Sequence, residues 1–517
     1  MVEDTQPTVG QKIARGLAWN SFRTVFSAVL SLVYSVIAVR FLHVQNFGVI
    51  AFLDSIFSLL GAFFMPLTHQ AEQRYIPELM AEGKYPQVRQ LIKVGQRINI
   101  LLAFGFAFPF LAFAGPIASS LGNPAWAFYI QLMAIAMIIS AGLGILKAIL
   151  NAFYDQRFLS IWESFFSATS LVLLITFVVF FHWGVTGAIL VGIITYGASG
   201  MLYFYRMSSR YAHNVKGESM PIGKTLEIRI RKYVVPSAAI GLMTQFASYY
   251  GGVVFLGLFT NATDVAYFDI PNTFVQRAFG QVSLVIGALS LVSLVEVNAR
   301  DSTKLKAAAS QFTKFVSIYA LPVMAGGFVL ASPIMTVLYG SQVLPAVLPF
   351  RVLLVESCIS TILQISGTLL FVLEKAYRVF LWTALDIVIL FGLNILLIPP
   401  MGVMGAVIAV SVSDVIYGVI ITHDAWTRFK VGSFLPLGAI VKMSLASLIM
   451  AVVVYAMGFV FPVVNVVSLA VAMTIGVVVY LCGLRILQVF NDTDRRMVES
   501  SSLPLKGLLL RLLWKAK

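Results

Sequence analysis

Runs of about 20 apolar residues recur along this chain from Phe26 to Leu484, and each matches a hydrocarbon core of about 30 Å. Lipid offers no water to satisfy backbone N–H and C=O groups, so only helices and closed barrels can span it. Barrel strands would alternate polar and apolar residues over about 10 positions, whereas these runs are longer and continuous. The chain therefore reads as an all-α polytopic membrane protein with about 14 transmembrane helices. Composition removes the soluble alternative. Of the 517 residues 59% are hydrophobic and 11% charged, against about 25% charged in a soluble domain. Lys12 and Arg15 precede the first run as in a signal peptide. That run continues to Val39 without a small-residue cleavage site, so it reads as a retained first span.

Basic residues orient the spans. Every second connection is rich in Lys and Arg, as in Arg74, Lys84, Arg89 and Lys93, then Lys147 and Arg157, then the stretch from Arg206 to Lys232. The intervening turns hold few, Arg40 and Arg351 being the main exceptions. This is the positive-inside pattern, and it places both termini in the cytoplasm. It also accounts for the net charge of +14 without a nucleic-acid partner, for which no aromatic-interleaved basic motif is present. The expected division is a first lobe, 1–205, with six spans; a cytoplasmic basic linker, 206–232, suited to anionic headgroups; and a second lobe, 233–423, with six more. Two extra spans occupy 424–490, and 491–517 is a cytoplasmic or interfacial tail.

Self-comparison shows an internal repeat. Gly184-Val185-Thr186-Gly187-Ala188 returns as Gly402-Val403-Met404-Gly405-Ala406, 218 residues on. Pro116-Ile117 matches Pro333-Ile334, Glu78 matches Glu296, and Asp155-Gln156 matches Glu374-Lys375, all within two residues of that offset. Six spans return the chain to the same side, so the halves are parallel repeats. Such repeats place a substrate cavity at their interface and work by alternating access.

Charge inside a span is costly and is a functional candidate by default. In the first span Asn20, Arg23, Ser27, Ser31 and Tyr34 share a helix face. Asp54 and Ser58 lie on the second span, Ser237, Gly241, Gln245 and Ser248 on the seventh, and Thr273, Arg277 and Gln281 on the eighth. These faces read as walls of a hydrated cavity, or else as polar helix packing. Arg23 and Arg277 fall at similar depth by helix rise. Two guanidiniums at one level suit a diphosphate. Asp386 and Asp414, on the eleventh and twelfth spans, are candidates for coupling to H+ or Na+, with salt bridging as the alternative. Glu163 and Glu356 are further membrane-embedded acids without an assigned role. No phosphate loop, nucleophile–base motif or metal-ligand spacing occurs, and Cys358 and Cys482 read as packing residues, so neither an enzyme nor a bound cofactor is expected.

Gly16–Trp19 leading to Arg23, then Val39-Arg40-Phe41-Leu42 and Phe47-Gly48, resembles the opening of bacterial polysaccharide-lipid flippases. These share a superfamily with multidrug and toxic-compound extruders and with lipid II flippases. The resemblance covers essentially the whole chain. It implies two bundles around a central cavity in the bacterial inner membrane. It also implies passage of a polyprenyl-diphosphate-linked oligosaccharide to the outer leaflet, in company with glycosyltransferases and a glycan polymerase. Arg23 and Arg277 are the implied diphosphate contacts. Lipid II flippases carry a seventh-span acid in a sodium site, and this sequence has no acid within 233–258. The alternatives are a multidrug cation antiporter, for which Asp54 would serve, or a lipid II flippase. A membrane polymerase would need a large charged outer loop, which is absent.

Overall fold

The computed structural model describes residues 9–63, 65–247, 249–427 and 433–490. The expected interfacial tail and the basic pair Arg428 and Lys430 lie outside the described residues. All regular structure among the described residues is helical. The chain divides into two compact units, Met1–Ala266 and Tyr267–Lys517. Eleven described helices are long and apolar enough to cross a membrane. The first two expected spans lie on one kinked helix that is counted once, and the seventh and eighth fall on helices outside the eleven.

Unit 1 begins with α1 (Val9–Ala62), which breaks at His43, where φ is 64°. There follow α2 (Met65–Ala81), α3 (Tyr85–Ala112), the short α4 (Ala114–Ser120), α5 (Ala127–Ala152), α6 (Gln156–Leu174), α7 (Gly184–Arg210) and the short α8 (Ala212–Val215). The helices α9 (Lys224–Ala247) and α10 (Tyr249–Phe259) complete it. The long α11 (Ala262–Arg300) carries the boundary between units at Ala266 and Tyr267. Both α9 and α10 pack within unit 1. The Tyr75 hydroxyl donates to the Arg229 carbonyl at 3.0 Å, Arg229 pairs with Glu78 at 2.6 Å, and Gln70 donates to the Ser237 carbonyl at 3.2 Å. On α10, Gly257 packs so closely on the Phe52 ring that a Cβ has no room. The core at the basic end of this unit gathers Tyr75, Ile76, Leu79, Ile92, Ile149, Leu150 and Tyr203 from four helices. Outward, α3 presents Leu101, Phe104 and Phe108, all more than half exposed. On a chain of this hydropathy that is a lipid-facing surface.

Unit 2 contains α12 (Leu305–Val329), α13 (Ala331–Tyr339), α14 (Val347–Leu363), α15 (Ile365–Val372), α16 (Ala376–Met401), α17 (Val403–Thr427), α18 (Leu437–Val460) and α19 (Val466–Ile486). The last two pair through small residues: Gly483 sits against Ala446, and Gly476 against Val454 and Met450. Small residues let helix backbones approach where no hydrophobic force drives association. α19 opens with a capping box between Asn465 and Ser468, and its Tyr480 hydroxyl reaches the Ile318 carbonyl on α12 at 3.0 Å.

The repeated residues carry repeated backbone features. Gly184 opens α7 and Gly402 directly precedes α17, both with φ 54°, and Gly122 and Gly340 follow short helices with φ 82° and 96°. These left-handed conformations favour glycine. Tyr154 and Glu374, each at the turn before a basic helix start, share φ 58°. Gly187 and Gly405 each abut the preceding span, where a Cβ would press on Trp183 and Phe177 or on the backbone at Leu397. The Gly-x-x-Gly recurrence thus marks one device used twice: a left-handed turn followed by a close helix contact.

Candidate functional site

In unit 1 the polar face of α1 docks on α6 as a two-rung ladder. Arg23 donates to Glu163 through Nη1 and Oε2, and one turn on Ser27 and Ser167 meet hydroxyl to hydroxyl at 3.1 Å. Residues four apart lie on one helix face, so both rungs follow from one helix pairing. Lys147 on α5 reaches the other Glu163 oxygen at 2.6 Å. One carboxylate therefore holds two cations, which leaves a net positive charge. The group is part-hydrated, with Lys147 42% exposed and Glu163 18%. Its two cations, Arg23 and Lys147, line a cavity of about 430 Å³ with Gln73, Asn151, Tyr154 and Gln156. An anion entering there meets two cations and several amide donors.

Asp54 faces a second cavity of unit 1, about 560 Å³, with Ser58, Ser140, Tyr196, Gly241 and Gln245. Its remaining walls include Phe57, Met65, Met133 and Met137. The expected polar faces of the second and seventh spans do meet here. Arg23 is not among the lining residues; it belongs to the cavity at Glu163. The side chains of Asn20 and Gln281 lie outside the described residues, as does Ser248.

Unit 2 sorts its acids differently. Asp386 is buried on α16 and receives the Ser413 hydroxyl. Asp414, one residue on, shares a cavity with Glu356 of α14. Ser357 and Ser360 donate to the two Glu356 oxygens at 2.8 Å each. Ionised carboxylates are acceptors only, so two acids facing one cavity favour a proton held between them. The pair lines a cavity of about 490 Å³ with Gln276, Ser283, Gln364 and Tyr417. Arg277 does not line it. It is half-buried on α11, within electrostatic reach of Asp269 and Tyr339.

Three residues of these groups had no assigned role in the sequence. Lys147 looks like a connection residue, and Glu163 and Glu356 look like isolated acids. Their partners sit on other helices, 140 residues away for Arg23 and Glu163. Only opposite charge at matched depth on the fourth and fifth spans hints at Lys147 with Glu163.

Residues 86–348 match the family model described as polysaccharide biosynthesis protein, just over half of the chain. No curated protein sequence matches it. Among solved structures, the lipid II flippase MurJ in an inward closed conformation superposes with TM-score 0.72 at 16% identity, covering 90% of this chain and 98% of its own. An inward-facing multidrug resistance MATE transporter of the MOP superfamily gives TM-score 0.67 at 14% identity, over 78% of this chain and 94% of its own. A MOP superfamily transporter from Pyrococcus furiosus, described as having a binding pocket of reverse polarity, gives 0.58 at 13% identity, over 80% and 95%. The fold is thus the MurJ- and MATE-like fold of the MOP superfamily, and the chain belongs to the polysaccharide biosynthesis protein family.

Proposed function

We propose that this protein is a secondary transporter, a flippase that moves a polyprenyl-diphosphate-linked oligosaccharide from the inner to the outer leaflet of the bacterial inner membrane by alternating access. The observation that carries this reading is the cavity lined by Arg23 and Lys147, the two cations that share Glu163. A diphosphate entering it exchanges one carboxylate for a stronger, multidentate acceptor of the same donors. The family and the fold support the same class of activity. The Glu356–Asp414 pair and neighbouring Asp386 supply a proton-holding group for coupling. Arg277 is the second proposed diphosphate contact. The test is export of surface glycan by cells carrying the Arg23→Ala/Lys147→Ala double variant, or Arg277→Ala, with insertion checked in parallel. Loss of surface glycan with normal insertion is expected, and full export by the double variant rejects the anion site. Neutralising Asp386 and Asp414 together should weaken dependence on the ion gradient.

A second reading has its own observation. The Asp54 cavity has apolar, methionine-rich walls and a carboxyl, which suits a lipophilic cation. An antiporter of such cations would lose drug export in Asp54→Asn while Arg23→Ala/Lys147→Ala remained active. The flippase reading expects the reverse.

A further inference from the structure

Glu72, on α2, is 0% exposed. Neither carboxyl oxygen has a hydrogen-bond partner among the described residues. Its side chain enters a notch on α3 at Gly95, where an added Cβ would lie 2.5 Å from Oε1 and 3.7 Å from Ile145 Cδ1. One turn earlier, His69 fills a matching notch at Gly144 of α5, with its Nε2 also unpartnered. Two glycines on two helices thus make room for two titratable side chains of a third.

Among the described residues no cation is paired with Glu72. On α2 itself, Arg74 pairs with Glu78. On α3, Lys93 and Arg97 are exposed and Lys93 turns to Ser219, while buried Asn99 donates to the Ala141 carbonyl. Lys147 of α5 and Arg23 of α1 share Glu163. Arg229 of α9 pairs with Glu78, and Arg231 with Glu227. An ionised carboxylate held this way, without donor or counter-ion, costs several kcal/mol. A neutral carboxylic acid pays far less.

We infer that Glu72 is a proton-binding site of unit 1, loaded while its carboxyl is seated in the Gly95 notch and released when the packing of α2 on α3 and α5 admits water. The bound species is a proton rather than a metal ion: among the described residues no three His, Cys, Asp or Glu side chains gather to hold one. Glu72 itself lines neither the anion cavity nor the Asp54 cavity, and its protonation is read by a measurement that does not involve transport, so the inference survives or fails independently of the transport reading.

The experiment is infrared spectroscopy of the full-length protein in lipid vesicles at neutral pH. Wild type and Glu72→Gln are compared in the carboxylic-acid C=O region and in the carboxylate region. Glu72→Gln keeps the shape of the loaded side chain. It should lose the absorbance of one protonated carboxyl and leave carboxylate absorbance unchanged. A loss from the carboxylate region instead overturns the inference. If that variant does not accumulate, Gly95→Ala serves: crowding Oε1 should shift a carboxylic-acid band, and an unmoved band overturns the proposal equally.

Discussion

Units 1 and 2 share turn geometry 218 residues apart, yet hold acids in apolar surroundings by different chemistry. In unit 1 Glu163 is neutralised by two cations on two other helices. In unit 2 Glu356 accepts from two serine hydroxyls and shares a cavity with a second acid, Asp414, rather than with a cation. The repeat does not extend to these groups. The positions 218 residues beyond Lys147 and Glu163 are Ile365 and Leu381, and those 218 before Glu356 and Asp414 are Ile138 and Tyr196. A duplicated scaffold has therefore kept its glycine turns and replaced the charged groups. Cations attract an anionic substrate, whereas a shared proton gives a group that can take up or release charge. The cation pair of unit 1 suits an anion, whereas the acid pair of unit 2, like the separate Glu72 of unit 1, suits a proton.

The strongest way to break that comparison is Glu163→Leu. It strands two cations around a cavity, and removing one partner of a buried pair costs about 3–5 kcal/mol. Partial hydration of Lys147 and Glu163 reduces this to about 2–3 kcal/mol. The thermal midpoint of the purified protein should fall, and Arg23→Met/Lys147→Met in the same background should restore most of it. Glu356→Gln, by contrast, should barely move the midpoint, because its amide keeps a donor for Asp414. Equal losses for Glu163→Leu and Glu356→Gln would show that the two acids are held alike.

The shared scaffold makes a second contrast. Gly405→Ala drives a Cβ into the backbone at Leu397, which cannot rotate away; overpacking of this kind costs about 1–3 kcal/mol. Gly187→Ala meets the Cβ atoms of Trp183 and Phe177 at 3.0 and 3.1 Å, and a small helix shift relieves them, so about 1 kcal/mol or less is expected. Thermal midpoints of the two variants check the order, and a larger loss at Gly187 reverses it.

How far the sequence led differs between fold and site for one physical reason. Span length and the Gly-x-x-Gly recurrence are local, and local rules govern them: α7 begins at Gly184 and α17 directly after Gly402. The break at His43 falls in the expected connection after Val39; that the connection is a single left-handed residue joining two nearly continuous helices is not legible from composition. Arg23 with Ser27 was readable as one helix face. Its partner face, Glu163 with Ser167, was not, because pairing requires knowing which helices touch. Asp414 was visible as a membrane acid, but the carboxyl it meets lies on another helix, and Asp386, the apparent partner, binds Ser413 instead.

Asp414→Asn sharpens the proton side of the comparison. The amide donates to Glu356 in place of the shared proton, so stability should stay within about 1 kcal/mol. Transport should lose its response to an imposed proton gradient while retaining substrate binding. A variant that still follows the gradient would remove the pair from coupling and leave Glu72 as the titrating candidate.

The smallest effect expected lies outside the membrane, at the exposed Asp301 between α11 and α12. Its carboxylate accepts from the Thr303 hydroxyl at 2.5 Å and the Thr303 N–H at 3.1 Å, and pairs with Lys304 at 3.1 Å. The Thr303 hydroxyl chiefly, then Lys304 and the backbone N–H, hold it below the usual carboxylate range. A depressed folded-state value means that the cap's contribution is present above the unfolded-state value of about 3.9 and is lost as pH falls through the folded one. Thermal midpoints should therefore be insensitive to Asp301→Asn in the form of their pH dependence near neutrality, and differ only at the acid end. There wild type should decline slightly more steeply than the variant. Parallel acid-side curves would mean that hydration of this exposed turn cancels the cap, leaving both units to be distinguished by their buried acids alone.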